Sequence, residues 1–480
     1  MDITNISAYE IREKFINKEV RAVDIVSSYI EKIKREDPDL NAYISINEEE
    51  ALVRARELDD RLARGEAMGS LAAVPVSIKD NISTKGIKTS CGSKMMLDYL
   101  PPFNATVIDL IEAEDGIILG KTNLDEFAIG STTESSCFGP TKNPIAEGKI
   151  PGGSSGGSAV SVASKLAPLS LGTDTGGSVR QPAAYTSVVG IKPSYGAISR
   201  FGIASMANSM DQVGVLAGNV KDGASLLKVL MQKDPRDHTS YGAAGEILEG
   251  LDLDGNYDFK GMKIGLVREL EGYEMDGEIL EALDRSVELI EKLGGRVEEV
   301  KMNYLAYAST NYYLLASAEA SSNLARYDGI IYGHRSDDYK DLTELYTNSR
   351  TESFGDEVKK RIILGNYLLA NENREDYYTR ALKIRRLIKE EFEETFKNYD
   401  LILTPTTPIL PFDLRGEYDE NYDSNIFTTG VNLAGNCAMS LPVYKQERLP
   451  IGIQFIANRF EEDKLIRAGL AFEGGNIDEL

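Results

Sequence analysis

Residues 150–193 read IPGGSSGGSAVSVASKLAPLSLGTDTGGSVRQPAAYTSVVGIKP, with glycine-serine clusters at 152–158 and 172–178 on either side of a small-residue segment. Glycine inside a regular element costs roughly 1 kcal/mol relative to alanine. Seven glycines in two clusters therefore imply a backbone that turns sharply or comes close to a ligand. The serines carried there are candidate nucleophiles, and a serine nucleophile needs a group to take its proton, most often histidine. The chain has only two, His238 and His334. Gly153-Ser154-Ser155-Gly156-Gly157 matches the G-x-S-x-G elbow of α/β-hydrolases, and both histidines follow it as such an enzyme requires. That elbow must follow a hydrophobic strand, however, and the preceding NPIAEGKIP is not one. A histidine-dependent hydrolase is therefore the second reading of these residues.

A lysine can replace histidine as the base if it is neutral, which burial achieves by lowering its pKa from about 10.4. A shift of about 3 units costs on the order of 4 kcal/mol, so the amine must sit in a rigid polar network. Lys79 closes VPVSIKD, where Val74, Val76 and Ile78 alternate with Pro75, Ser77 and Lys79 as in a strand. The ordinary reading of such a residue is an exposed edge lysine, which this stretch alone favours and a later motif reverses. The Ser-x-x-Lys pair Ser225 and Lys228 falls in an amphipathic helical pattern and reads as chance spacing. Ser178 falls where a strand gives way to a helix, so the N–H groups of Thr175, Gly176 and Gly177 can point at one place and suit a developing oxyanion.

Several elements must position these residues. Val26, Tyr29, Ile30 and Ile33 form one helical stripe within residues 7–36, which Pro38 should end. A short strand at 42–46 and a charged helix at 48–64 complete an N-terminal helical segment, 1–65, expected to pack on the remaining 66–480 as one continuous domain. Helices are expected at 105–114, 158–165, from 178 onward, and at 222–231, 279–293, 313–327, 356–369 and 376–396. Strands are expected at 116–119, 167–171, 262–267, 297–302, 401–404 and 451–456. Residues 121–144, rich in Ser, Thr, Asn and Gly without either periodicity, read as an ordered loop lining a site. The alternation points to an α/β fold.

Composition narrows the partners. A net charge of -23 argues against a wide grip on a phosphate backbone, which needs clustered Lys and Arg; any nucleic acid should be held by a different polypeptide. Three widely spaced cysteines, Cys91, Cys137 and Cys437, fit reduced thiols better than a disulfide framework, and no Cys/His spacing suggests a metal. Without an apolar leader or a run approaching 18 apolar residues, the expectation is a cytoplasmic protein with no membrane contact.

GGSSGGS followed by GTDTGGSVRQPAAYTSVVGIKPSYG resembles the signature of the amidase signature family of serine hydrolases, and VPVSIKDNI resembles its lysine-bearing strand. TNLDEFAIGSTTESSCFGPTKNP, SRFGIASMANSMDQVG and ASAEASSNLARYDG resemble, more narrowly, the A subunits of aspartyl/glutamyl-tRNA amidotransferases, over nearly the whole chain. The resemblance implies a large mixed β-sheet core covered by helices on both faces. It implies that Ser178 is the acyl-enzyme nucleophile, that Ser154, after a cis peptide bond, is the bridging serine, and that Lys79 is the terminal base. It also implies glutamine, or sometimes asparagine, as amide donor, with B and C subunits as partners. The B subunit would hold the mischarged tRNA and use ATP and magnesium, with no cofactor in this chain.

For the donor pocket the resemblance implies Arg361, in EVKKRIILG, as partner of the α-carboxylate and Tyr312 as a pocket tyrosine, with Tyr313 the alternative. Each also has an ordinary reading as a helix-surface arginine or a core tyrosine. Where these subunits carry an aspartate for the α-ammonium this chain has Asn425, and Asp423, two residues earlier, is the alternative acid. An amide oxygen still accepts a hydrogen bond but loses the charge-assisted part. Two other functions remain open at this point: a stand-alone amidase of broad specificity, and a non-catalytic binding protein that retains the fold.

Overall fold

In the computed structural model, residues 2–270, 273–416, 423–443 and 449–475 are described. Eleven strands form one sheet: β1 (Tyr43–Ile46), β2 (Pro75–Lys79), β3 (Ile117–Thr122), β4 (Leu169–Asp174), β5 (Val189–Lys192), β6 (Gln212–Ala217), β7 (Lys263–Leu266), β8 (Arg296–Glu299), β9 (Leu401–Pro405), β10 (Cys437–Pro442) and β11 (Gly452–Ala457). Their order is β1-β3-β2-β4-β6-β5-β10-β11-β9-β7-β8. The sheet is mixed, with β2 parallel to both β3 and β4 and β7 parallel to both β8 and β9.

Burial on both faces explains why the inner strands show no alternation of buried and exposed residues. Every residue of β2, β3, β4, β5 and β6 is buried. One apolar cluster joins Val76, Leu169, Ile191 and Val215 to Leu226 and Leu227 of the helix Val220–Leu230. A second joins Ile402 and Ile456 to Leu315, Phe392, Phe427 and Val431 on other helices. Polar groups caught inside are paired: the Ser77 hydroxyl meets Tyr43, and the Ser170 hydroxyl donates to the Ser77 carbonyl at 3.2 Å.

The structure departs from the sequence reading at several elements. The helix with the Val26–Ile33 stripe runs Ala22–Leu40, straight through Pro38. Its stop is Asn41 in the left-handed conformation (φ 56°), with the Asp37 carboxylate accepting from the Ala42 and Tyr43 N–H groups. In the last turn a proline forfeits little, because the chain there is already turning toward its cap. The helix expected from Ser178 onward spans only Arg180–Tyr185, leaving 175–179 as a loop. Strands β5, β6 and β10 and the helix Leu342–Ser353 had no counterpart in the sequence reading.

The first 65 residues share the sheet through β1, which pairs antiparallel with β3. Their first α-helix, Ala8–Ile16, is capped twice. Ser7 and Glu10 form a reciprocal capping box, and Asp222, on the helix Val220–Leu230, accepts from the N–H groups of Ala8 (2.7 Å) and Tyr9 (3.0 Å). Asp222→Ala is expected to cost roughly 1–2 kcal/mol of local stability. Amide hydrogen exchange should then quicken about tenfold within Ala8–Ile16 while the central strands keep their protection.

Candidate active site

Because β2 and β4 are parallel neighbours, their carboxyl ends open on the same edge of the sheet, where loops can converge on a ligand. Lys79 ends β2 and is completely buried. Its Nζ lies 2.7 Å from Ser154 Oγ, 2.8 Å from Ser155 Oγ, 2.9 Å from Thr173 Oγ1 and 3.3 Å from the Thr173 carbonyl. The protons can be assigned from this network. Ser155 donates its hydroxyl proton to the Thr173 carbonyl (3.1 Å) and accepts from the Thr173 N–H (3.3 Å). Ser154 Oγ has only Lys79 as a hydrogen-bond partner among the described residues. A neutral Lys79 thus donates to Ser155 and Thr173 and offers its lone pair to the Ser154 proton. Burial lowers the Lys79 pKa to about 7, against the opposing pull of Asp125, Asp174 and Asp211.

Ser154 follows a cis peptide bond from Gly153. Its carbonyl accepts from the Asp125 N–H (3.2 Å), and the Gly153 N–H donates to Gln181 Oε1 (2.8 Å). The Ser155 N–H donates to the Ser178 carbonyl at 3.1 Å, a backbone bond that joins the two Ser155–Thr173 bonds in tying the glycine-serine clusters together. The Ser178 hydroxyl makes no hydrogen bond to another described residue, and so its link to Ser154 is open.

The loop 175–179 wraps a buried ion pair. Arg180 grips Asp174 through Nε and Nη2, both at 3.0 Å, and extends to Gln454 Oε1, Asn432 Oδ1 and the Thr428 carbonyl. Burial alone would push the Asp174 carboxyl up, but the charge and hydrogen bonds of Arg180 outweigh it and hold the group well below the usual carboxylate range. Asp174 also takes the Gly177 N–H at 2.9 Å. Of the three N–H groups expected to serve an oxyanion, that of Gly177 is therefore committed, while those of Thr175 and Gly176 have no acceptor among the described residues. The Ser178 N–H has none either. Gly177 has φ +132°, a conformation that side chains rarely adopt. Thr175 is fixed from below by Asp211, which accepts its hydroxyl at 2.8 Å and whose pKa burial raises to about 6.

Beside this loop lie the expected pocket residues. A Cβ on Gly176 would stand 2.6 Å from Tyr312 Cζ, so the Tyr312 ring covers that glycine. Tyr313, the alternative, is exposed and lies under the Arg361 guanidinium, whose Cζ is 3.8 Å from its ring centre. Arg361 Nε donates to Glu357 Oε1 at 3.1 Å, while Nη1 is buried without a partner. Asn425 Oδ1 is likewise buried without a partner, 2.8 Å from where a Gly177 Cβ would be. Asp423 accepts the Asn425 N–H at 2.9 Å; burial raises its pKa, and the Arg361 charge works against that rise. An unsatisfied cationic donor and an unsatisfied acceptor, with a carboxylate beside them, suit an amino acid's two charged ends.

Neither histidine belongs to this site: His334 pairs with Glu352 at the surface and His238 is exposed. With Lys79 on Ser154, and with loop rather than strand before Gly153, the histidine-dependent reading fails. The sequence reading overlooked Ser155, Thr173, Asp125, Asp211 and the Asp174–Arg180 pair. Charged residues within an otherwise small and apolar stretch were the available signal for the last of these.

The family described as Amidase matches residues 24–466. The glutamyl-tRNA(Gln) amidotransferase A subunit numbered 2 in Clostridium acetobutylicum is 48% identical over 479 residues, covering 98% of this chain and 99% of the relative. The crystal structure of the glutamyl-tRNA(Gln) amidotransferase A subunit from Thermotoga maritima superimposes with a TM-score of 0.79 at 34% identity, over 98% of this chain and 95% of that one. A bacterial aryl acylamidase of the amidase signature enzymes superimposes with a TM-score of 0.83 at 26% identity, over 98% and 96%.

A base with a pKa of about 7 must lose its proton to act. For any substrate attacked by Ser178, kcat/KM is expected to fall about tenfold per pH unit below that value and to level off above it, as read from a pH–rate profile.

Proposed function

The chain belongs to the amidase family, and on that premise we propose that it is the glutaminase component of a tRNA-dependent amidotransferase. The observation that carries the reading is the unpartnered Nη1 of Arg361, whose charge acts on Tyr312 over Gly176 of the Ser178 loop, in a chain that matches such subunits over 98% of its length. Glutamine would place its α-carboxylate on Arg361 and its α-ammonium between Asn425 Oδ1 and Asp423, leaving the side-chain amide at Ser178.

The chemistry follows from the proton assignment. Ser178 Oγ attacks the amide carbon as its proton passes to Ser154 and the Ser154 proton passes to Lys79. The tetrahedral oxyanion is met by the N–H groups of Thr175, Gly176 and Ser178. Lys79 then returns a proton through Ser154 to the leaving nitrogen, ammonia departs, and Ser178 is left as an acyl ester. Water attacks that ester by the same relay and releases glutamate. A lysine near half ionisation at neutral pH suits both directions of transfer.

In the full reaction the ammonia would reach a B subunit that holds Glu-tRNA(Gln), Asp-tRNA(Asn) or both and uses ATP and magnesium, with a C subunit helping assembly. The net charge of -23 agrees with tRNA being held elsewhere. A stand-alone amidase is the second reading, favoured by the neutral Asn425 and by the fold shared with an aryl acylamidase.

Ser178→Ala is expected to lower glutamine hydrolysis by at least about 10⁴-fold, the scale of losing a catalytic nucleophile. In a complex co-expressed with B and C subunits, the same variant should lose glutamine-dependent amidation of mischarged tRNA and keep amidation driven by added ammonia. Robust amide turnover by the isolated chain, with no amidation in the complex, would instead establish the stand-alone amidase.

A further inference from the structure

Asp125 and Glu126 are adjacent buried acids that face different parts of the site. Asp125 accepts from the Thr133 N–H and the Ser135 hydroxyl, both at 2.9 Å, and its own N–H donates to the Ser154 carbonyl at 3.2 Å. Glu126 turns the other way. Its Oε2 accepts the Gly355 N–H at 2.8 Å and its Oε1 accepts the Ser93 hydroxyl. Gly355 is the N-cap of the helix Asp356–Leu369. The first N–H groups of a helix lack internal acceptors and carry partial positive charge, so a carboxylate is held there by charge as well as by its hydrogen bond. Lys94 and Lys359 also face Glu126 and favour its ionised form, against burial.

Arg361 stands on this helix, about 9 Å of rise beyond Gly355. On its far side, Gly365 is pressed against the helix Ala308–Leu324 so closely that a Cβ would collide with the Ser317 carbonyl. The helix is thus pinned before Arg361 by Glu126 and after it by Gly365. Between the pins the guanidinium rests on Tyr313 with Nη1 free.

We propose that Glu126 is a positioning residue for the amide donor: through Gly355 it sets where Arg361 stands relative to Ser154 and Ser178. The dipeptide 125–126 then couples the two halves of the site, one hydrogen bond from Ser154 through the Asp125 N–H on one side and one hydrogen bond from the arginine helix through the Glu126 carboxylate on the other. The inference rests on Arg361 as the partner of the donor's α-carboxylate. A carboxylate that merely capped the helix would affect every substrate alike; one that places Arg361 affects only substrates that use Arg361.

The test compares glutamine with 4-aminobutanamide, which is glutamine without its α-carboxylate, on the full chain co-expressed with B and C subunits. Glu126→Ala should raise KM for glutamine about tenfold and leave kcat within about twofold, while kcat/KM for 4-aminobutanamide stays within about twofold. Glu126→Gln keeps an acceptor for Gly355 and should show about a threefold rise in KM, so it carries the test if the alanine variant does not fold. Equal losses on both substrates, or an unchanged KM for glutamine, would overturn the proposal. Arg361→Ala in parallel separates the failures. If it leaves KM for glutamine unchanged, the donor reading falls; if it raises KM while Glu126→Ala does not, only the positioning role falls.

Discussion

A fully buried lysine whose charge is disfavoured by its surroundings is the condition on which the rest of this molecule depends. Moving the Lys79 pKa from 10.5 to about 7 corresponds to a penalty on the order of 5 kcal/mol. The sign is that of a depressed lysine. The penalty is absent above the unfolded pKa, grows as pH falls from 10.5 toward 7, and is complete below that. This is comparable to the net stability of many domains, so the site persists only because the surrounding structure over-determines it. β2 is clamped between two parallel strands, and Lys79 Nζ is met by hydroxyls from both Ser155 and Thr173.

The same logic governs the second cluster. The Asp174–Arg180 pair is fully buried, and such pairs return little net stability for their desolvation. What this one does is shape the loop. It engages the Gly177 N–H, reaches Asn432 and Gln454 on separate elements, and leaves the N–H groups of Thr175, Gly176 and Ser178 without an acceptor among the described residues. The Ser155–Ser178 backbone bond then sets this loop in register with the bridging serine. Ser178, Ser154 and Lys79, the proposed nucleophile, bridge and base, come from three separate segments of the chain.

Much of this was legible in the sequence, for reasons that differ by residue. Two glycine-serine clusters and a near absence of histidine point to a serine in each cluster, Ser178 in the second, and to a lysine as base, while the roles of Ser154 and Lys79 come from the resemblance. The pattern could not tell Ser154 from Ser155, because the distinction lies in where the Ser155 proton goes. Tyr312, Arg361 and Asn425 are reachable only through resemblance; no periodicity reveals the unsatisfied Arg361 Nη1 and Asn425 Oδ1. Among fold elements, β5, β6 and β10 escaped because they are short, buried nearly throughout and broken by residues such as Gly190, Gly214 and Ser440. Pro38 misled because a proline in a last helical turn looks, in sequence, like one beyond it. Glu126 resembles a surface acid in a polar loop, and only the fold brings Gly355 to it.

The most direct measurement is the ionisation of Lys79 itself. Titration of its side chain by NMR, with lysine labelled at the ε carbon and the signal assigned by its loss in Lys79→Met, reads the charge without turnover. A midpoint of about 7 is expected, so that the amine is largely neutral by pH 8. A midpoint near the ordinary value of about 10.4 would leave Ser154 facing an ammonium that cannot accept its proton, and would contradict the mechanism at its base.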